Sequence, residues 1–448
     1  MKKILLIGAG RSTSSLVQYL LFNAENENWF ITIADQSKDL ASEAANNHKL
    51  AKAIAFDVNN DEERERLIDE ADLVISMLPA SMHMAVANDC IKYKKHLATA
   101  SYVSDEMKEL DGKAQEAGIV MMNEIGVDPG IDHMSAMRVI DAIRQKGGTL
   151  EAFETFTGGL VAPESDNNPW NYKFTWNPRN VVLAGQGTCK FIQNSRYKYI
   201  PYNKLFKRTE IIEIDDYGKF EGYANRDSLQ YREIYGLKDI PTMFRGTLRK
   251  PGFCKAWHYF VKMGATDDSY IMEDSENMTN RQFINSFLHY NPNDSVELKF
   301  KYYFNIRQDD AEMFDKFVWL GIFEDTKIGL KKATPAQILQ HILEQKWSLE
   351  EKDKDMIVMW HRFRYKLNGE DKEIHSSMVV KGDDQKYTAM AKTVGLPLAI
   401  SVKMILNGTI SSPGVHVPIL PEIYNPILDE LENYCINFIE KEVQPTFY

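Results

Sequence analysis

Ile4-Leu5-Leu6-Ile7-Gly8-Ala9-Gly10-Arg11-Ser12-Thr13 joins a short apolar run to a pair of glycines. Leu16, Val17, Leu20 and Leu21 follow at helical spacing. A buried strand, a tight turn and a helix account for the pattern. Gly8 permits the turn, and Gly10 lets the backbone approach a pyrophosphate. The helix start, at Arg11 and Ser12, offers free N–H groups to the phosphates. The third glycine of the full dinucleotide fingerprint is absent, and Thr13 stands in its place. Met1-Lys2-Lys3 imitates a signal peptide, but Arg11 ends the apolar run and no small-residue cleavage site follows.

Working outward, residues 30–34 form a second apolar strand ended by Asp35, and residues 53–56 a third ended by Asp57. A charged helix over 61–71 precedes a fourth strand, 73–78, closed by Pro79. Residues 96–99 and 119–122 supply two more. Strands alternating with helices at this spacing predict βαβ units and a Rossmann-type, doubly wound parallel sheet. Asp35 is placed to accept hydrogen bonds from the adenosine ribose and to repel a 2′-phosphate. Gln36 follows it, not Arg or Lys, although Lys38 is close. NAD is therefore expected rather than NADP. Asp57 suits the adenine edge, with a loop cap as the structural alternative. Leu78 and Pro79 are expected to line the crevice. Ala100-Ser101-Tyr102 and residues 123–130 follow strands five and six, where an open α/β sheet places its ligands. Asp128-Pro129-Gly130 is a sharp turn with a carboxylate at its apex; capping the next helix is the bland role for Asp128. His133, one turn on, is a candidate for chemistry or a structural partner.

The texture changes after Gly126. Residues 150–260 are rich in aromatics, Gly, Pro and Arg, with strand-like pieces at 181–183 and 211–214, and predict an α+β domain. Segments 279–288, 309–320 and 335–347 suit helices and suggest a small helical insertion; strand texture returns at 356–359, and the tail from Tyr387 is expected to be helical. Gly158-Gly159 is expected to open a loop running to Glu164 that can bring backbone close to a ligand. Asn225-Arg226-Asp227-Ser228 and Arg245-Gly246-Thr247-Leu248-Arg249 suggest a polycarboxylate site, because guanidinium grips carboxylate in a bidentate fork.

The 448 residues predict two or three domains. Lys plus Arg number 53 against 64 Asp plus Glu, so the charge of −11 disfavours a nucleic-acid coat or an anionic-membrane binder. Four scattered cysteines without a C-x-x-C pair fit a reducing, cytoplasmic setting. No sequence stretch approaches 18 uninterrupted apolar residues. The ten histidines form no H-E-x-x-H, so no metal is expected, and no G-x-S-x-G or Walker loop occurs.

The chain resembles the L-glutamate-forming saccharopine dehydrogenase (saccharopine reductase) family. The matching strings are L-V-I-S-M-L-P at 73–79, T-A-S-Y at 99–102 and N-E-I-G-V-D-P-G-I-D-H at 123–133. G-G-L-V-A-P-E at 158–164, N-P-W-N-Y-K-F-T-W at 168–176, N-R-D-S at 225–228 and R-G-T-L-R at 245–249 continue the series. W-L-G-I-F at 319–323 and A-M-A-K-T-V-G-L-P at 389–397 complete it. The resemblance implies three domains: residues 1–127 joined by 388–448, a catalytic and dimerising α+β domain over 128–275 and 355–387, and a helical domain over 276–354. It implies oxidation of saccharopine, with water, to L-glutamate and 2-aminoadipate 6-semialdehyde, and a homodimer. By motif, Ser101 and Tyr102 would touch saccharopine, and Asp128 would lie between substrate and cofactor. Arg226, Thr247, Leu248 and Arg249 would hold carboxylates, and Thr175, between Phe174 and Trp176, would border the cofactor. Asp128 is the first candidate for proton transfer and His133 the second. Thr157 stands where relatives often have cysteine, and Gln36 where NADP-using fungal members carry Arg. A carboxynorspermidine-type imine reductase and a non-catalytic NAD-binding sensor are the competing expectations.

Overall fold

The computed structural model describes residues 1–307 and 310–446. The chain divides into two compact units, Met1–Leu150 with Phe363–Tyr448, and Glu151–Arg362.

In the first unit, strands β1 (Lys2–Ile7), β2 (Trp29–Asp35), β3 (Ala51–Ala55), β4 (Leu73–Ser76), β5 (His96–Ala98) and β6 (Val120–Met122) alternate with helices. Neighbouring strands pair in parallel, in the order β6-β5-β4-β1-β2-β3. Helices cover both faces of such a sheet, which is why its central strands read as apolar runs without alternation. Leu5, Ile7, Val74, Leu97 and Met121 pack with Leu67, Ile68, Val86 and Ala87 in one buried cluster. The strand order reverses between β1 and β4, so a crevice opens at their carboxyl ends. Gly8 and Met77 lie there.

The second unit carries β7 (Thr149–Val161), β8 (Thr188–Gln193), β9 (Arg196–Pro201), β10 (Thr209–Ile214), β11 (Gly218–Ala224), β12 (Thr242–Arg249) and the start of β13 (Asp355–Leu367). Their order is β10-β11-β12-β7-β13, with β8 paired to β12 and β9. β12 runs parallel to β7 and antiparallel to β11, so this sheet is mixed. Between β12 and β13 stand helices Phe253–Met263, Asn280–Asn285, Val296–Phe304, Ala311–Trp319 and Pro335–Trp347.

β14 (Glu370–Lys381), β15 (Gly414–His416) and β16 (Ile439–Val443) return the chain to the first unit. β15 adds a seventh parallel strand beside β6. Helix Ala389–Leu406 is long and apolar enough to cross a membrane by length and composition. It is mostly buried inside the first unit, where a Cβ on Gly395 would meet the Leu16 nitrogen at 2.7 Å.

The structure corrects several expectations. Residues 181–183 are not a strand: Val181 and Val182 end helix Pro178–Val182. The Asn177 side chain accepts from the Arg179 and Asn180 N–H groups, and Pro178 fits the first helical turn, so capping outweighs β-branched propensity. Gly158–Val161 is strand, not loop. A Cβ on Gly158 would meet the Leu248 carbonyl oxygen at 2.8 Å, so the glycine serves close strand packing. The tail is not helical throughout, since it contains β15 and β16. Helix Val296–Phe304, capped by Ser295, was not anticipated. The expected helix over 309–320 is Ala311–Trp319; position 309 lies outside the described residues.

Candidate functional site

In the first unit the glycine turn is shaped by contact. Gly8 has φ +102°, and a Cβ there would meet the Met77 carbonyl oxygen at 2.8 Å. Gly10 has open space on its Cβ side, as a phosphate cradle needs. Arg11 and Ser12 begin the helical turn Arg11–Thr13 that leads into helix Ser14–Asn23, and no side chain caps it. Leu78 is half-buried and Pro79 exposed beside this turn.

Asp35 is engaged by the fold itself. Its Oδ2 accepts from the Ala9 N–H at 2.7 Å and its Oδ1 from the Ser37 N–H at 2.8 Å. The carboxylate thereby ties the end of β2 to the glycine turn. Asp57 is exposed and accepts from the Asn59 backbone and side chain, both at 3.0 Å. These bonds, with one from Gln36, hold its carboxyl below the usual range.

The loops after β4, β5 and β6 meet at the sheet's carboxyl edge. The Tyr102 hydroxyl donates to Asp128 Oδ1 at 3.3 Å, and the Glu124 N–H donates to the Ser101 carbonyl at 3.1 Å. Ser101 and Asp128 are half-buried, and Tyr102 is 37% exposed. His133 lies behind them, fully enclosed, its Nε2 at 2.7 Å from Glu124 Oε2. The second Glu124 oxygen accepts from the Val103 N–H at 2.9 Å. Glu124 has φ +55°, a conformation rare outside glycine.

Two residues escaped the sequence reading. Ser76 ends β4, and His83 opens helix His83–Tyr93. His83 Nδ1 lies 2.8 Å from Ser76 Oγ, and its Nε2 lies 2.8 Å from Ser101 Oγ. Burial pushes the imidazole down to about 4, so it is neutral at physiological pH. A lone histidine seven residues after a serine carries no spacing signal, so only the fold reveals the contact.

In the second unit the two arginine motifs are stitched together. The Asn225 N–H donates to the Arg245 carbonyl at 2.8 Å, and the Arg245 N–H to Ser228 Oγ at 2.9 Å. Ala224 pairs with Gly246 across β11 and β12. Arg226 is exposed, with φ +49°. Arg245 lies over the Tyr231 ring, 4.6 Å from its centroid.

Arg249 is 3% exposed. Its guanidinium sits 5.0 Å from the Tyr172 ring centroid, 5.4 Å from Phe253 and 5.9 Å from Tyr223. One Nη donates to the Leu248 carbonyl at 2.8 Å, and Nε has no partner. Among the described residues no carboxylate pairs with it. Thr247 beside it is half-buried and Leu248 buried. The rings belong to a larger cluster: Trp347 lies 5.1 Å from Tyr172 and 5.3 Å from Trp170, centroid to centroid. A buried Lys173–Asp353 pair at 2.5 Å and the Phe174 N–H to Trp347 carbonyl bond fix the 168–176 segment. Thr175 is buried, with its hydroxyl unpartnered. Among the described residues no group of His, Cys, Asp and Glu is arranged to hold a metal.

Comparison with known proteins places this arrangement. Residues 4–122 match a family profile described as the saccharopine dehydrogenase NADP binding domain, and residues 126–436 match the saccharopine dehydrogenase C-terminal domain. The chain is 33% identical to saccharopine dehydrogenase [NADP(+), L-glutamate-forming] of Schizosaccharomyces pombe, over 99% of both chains. It is 33% identical to the mitochondrial alpha-aminoadipic semialdehyde synthase of Rattus norvegicus over 98% of this chain, spanning 47% of that longer protein. An apo saccharopine dehydrogenase (L-Glu forming) from Saccharomyces cerevisiae superposes with a TM-score of 0.91 at 32% identity, covering 99% of this chain and all of the other. The expectation of NAD is overturned: the nucleotide-domain profile and the fungal relatives are named for NADP. Each Asp35 oxygen accepts a backbone N–H, so the turn it holds is by itself a sufficient reason for an acid at this position, which is then no evidence for NAD. Matched over nearly its whole length in both domains, and superposable on a solved relative, the chain belongs to the saccharopine dehydrogenase family.

Proposed function

We propose that the protein oxidises saccharopine with NADP and water to L-glutamate and 2-aminoadipate 6-semialdehyde, reversibly. The observation that carries this reading is Arg249, a buried cation with no anion among the described residues. A charge held out of water without a counter-ion is costly, so its site is built for an incoming anion. Saccharopine brings three carboxylates. We assign carboxylate binding to Arg226, Thr247, Leu248 and Arg249.

The bound cofactor supplies a hydride acceptor, and Gly8, Gly10, Arg11 and Ser12 fit its pyrophosphate. Lys38, exposed at the start of the helix after β2, is the candidate cation for the 2′-phosphate. Thr175 is assigned to the cofactor's border.

The reaction needs a neutral secondary amine before hydride leaves the adjoining carbon, and then a water that adds to the resulting imine. We assign proton transfer to Asp128, which is half-buried and held by the Tyr102 hydroxyl. Such a group contributes about 10²–10⁴-fold. Ser101 and Tyr102 position the substrate. His133 is enclosed with Glu124 and acts through the turn carrying Asp128 rather than on substrate.

The test is near-ultraviolet absorbance of reduced nicotinamide with purified protein and saccharopine, run separately with NADP and NAD. A rise with NADP and little with NAD is expected. No rise with either, in protein that binds NADP, would reject saccharopine as the substrate.

A further inference from the structure

The Ser76–His83–Ser101 chain has a direction that follows from donor and acceptor counting. A neutral imidazole has one N–H and one bare nitrogen. Ser76 is fully buried, and among the described residues the hydroxyl's one hydrogen-bond partner is His83 Nδ1. If Nδ1 carried the proton, the Ser76 hydrogen would be buried without an acceptor, which is the more costly arrangement. Ser76 therefore donates to Nδ1. The imidazole proton is then on Nε2, and Nε2–H donates to Ser101 Oγ. The Ser101 hydroxyl has no other hydrogen-bond partner among the described residues, so its own hydrogen is left to point at a ligand.

We infer that His83 is a positioning residue that fixes Ser101 as a hydrogen-bond donor to an anionic acceptor of the ligand, a carboxylate oxygen when the ligand is saccharopine. The carboxylate part rests on the proposed activity; the direction of the chain does not. Three elements build the device: the end of β4, the start of helix His83–Tyr93 and the loop after β5. The neutral state follows from burial, which keeps the second nitrogen bare well above its depressed ionisation. With that nitrogen protonated, Ser76 would face a donor instead of an acceptor.

Two measurements test this. Nitrogen NMR of protein labelled at histidine, with the His83 signal assigned through His83→Gln, reads the tautomer without any turnover. A protonated Nε2 with a bare Nδ1 is expected; an Nδ1–H tautomer overturns the inference whatever the substrate proves to be. Kinetics follow with NADP and saccharopine. His83→Leu is expected to raise the saccharopine KM about tenfold, the size of one lost hydrogen bond, with the NADP KM within about twofold of wild type. His83→Gln, whose side-chain amide keeps a donor near Nε2, is expected to recover most of that loss. In a Ser101→Ala background His83→Leu should add almost nothing, because both act on one hydroxyl. Fully additive effects would reduce His83 to a packing role and overturn the inference. Ser76→Ala serves as the variant least disturbing to the fold. It should raise the saccharopine KM and mix the His83 tautomers, though Ser76 is sealed from solvent. Wild type inactive on saccharopine together with an Nε2–H tautomer would fault the proposed activity and leave the donor assignment standing.

Discussion

Asp35 ends β2 in the first unit, and Arg249 ends β12 in the second. Both are charged residues at a strand's carboxyl end, both stand in motifs that suggested ligand contact, and the two differ in their partners. Asp35 uses each oxygen on a backbone N–H of its own fold. Arg249 is buried among three rings with an unpartnered Nε and no carboxylate partner among the described residues. A charge already satisfied belongs to the architecture. A charge buried and unsatisfied is left for something that arrives.

The sharpest way to break this contrast is Arg249→Met. Losing one partner of a buried charge pair costs about 3–5 kcal/mol, which is roughly 10²–10⁴-fold in kcat/KM for saccharopine. Thermal unfolding should hold steady or rise, because an uncompensated buried charge is removed. A fall in melting temperature with catalysis intact would make Arg249 structural. Arg226→Ala comes next. It should raise the saccharopine KM about 10- to 100-fold, the value of a charge-assisted hydrogen bond, while equilibrium binding of NADP is unchanged. An unaltered KM removes Arg226 from the site. Asp35→Ala tests the other side of the contrast. Two N–H groups lose their acceptor, so chemical denaturation should report a loss of about 1–3 kcal/mol. The ratio of activities with NADP and NAD should stay as in the unaltered protein; a marked change would restore Asp35 as a selector. Smallest of all, Thr334→Ala removes a capping box from helix Pro335–Trp347. About 1 kcal/mol of stability should go, with kcat and KM unmoved.

The same contrast explains what was legible in the sequence. The parallel sheet was readable because buried strands are apolar runs and each ended at a turn residue. Ser101, Tyr102 and Asp128 were placed together because the loops after β5 and β6 share one sheet edge. Val181 and Val182 misled because a cap at Asn177 outweighed their strand preference. The β13–β14 hairpin was missed although Asn368-Gly369 marks it: φ values of +52° and +83° are what a tight two-residue turn requires. Asp35 misled about the cofactor because a carboxylate's partners are set by tertiary contacts. His83 was invisible for the same reason: its two hydroxyl partners come from separate strands' ends, and no local spacing announces them.

The ring cluster around Arg249 also makes the protein its own optical probe. Trp170, Trp257 and Trp347 are buried, and Trp347 lies 5.1 Å from Tyr172 and 6.1 Å from Phe253, rings that flank the guanidinium. An anion seated on that cation changes the electric field at these indoles. Intrinsic emission should therefore shift as saccharopine or glutamate is titrated into unlabelled protein, and the shift should vanish in Arg249→Met. Occupancy of the second unit could then be followed in real time without dye, label or turnover.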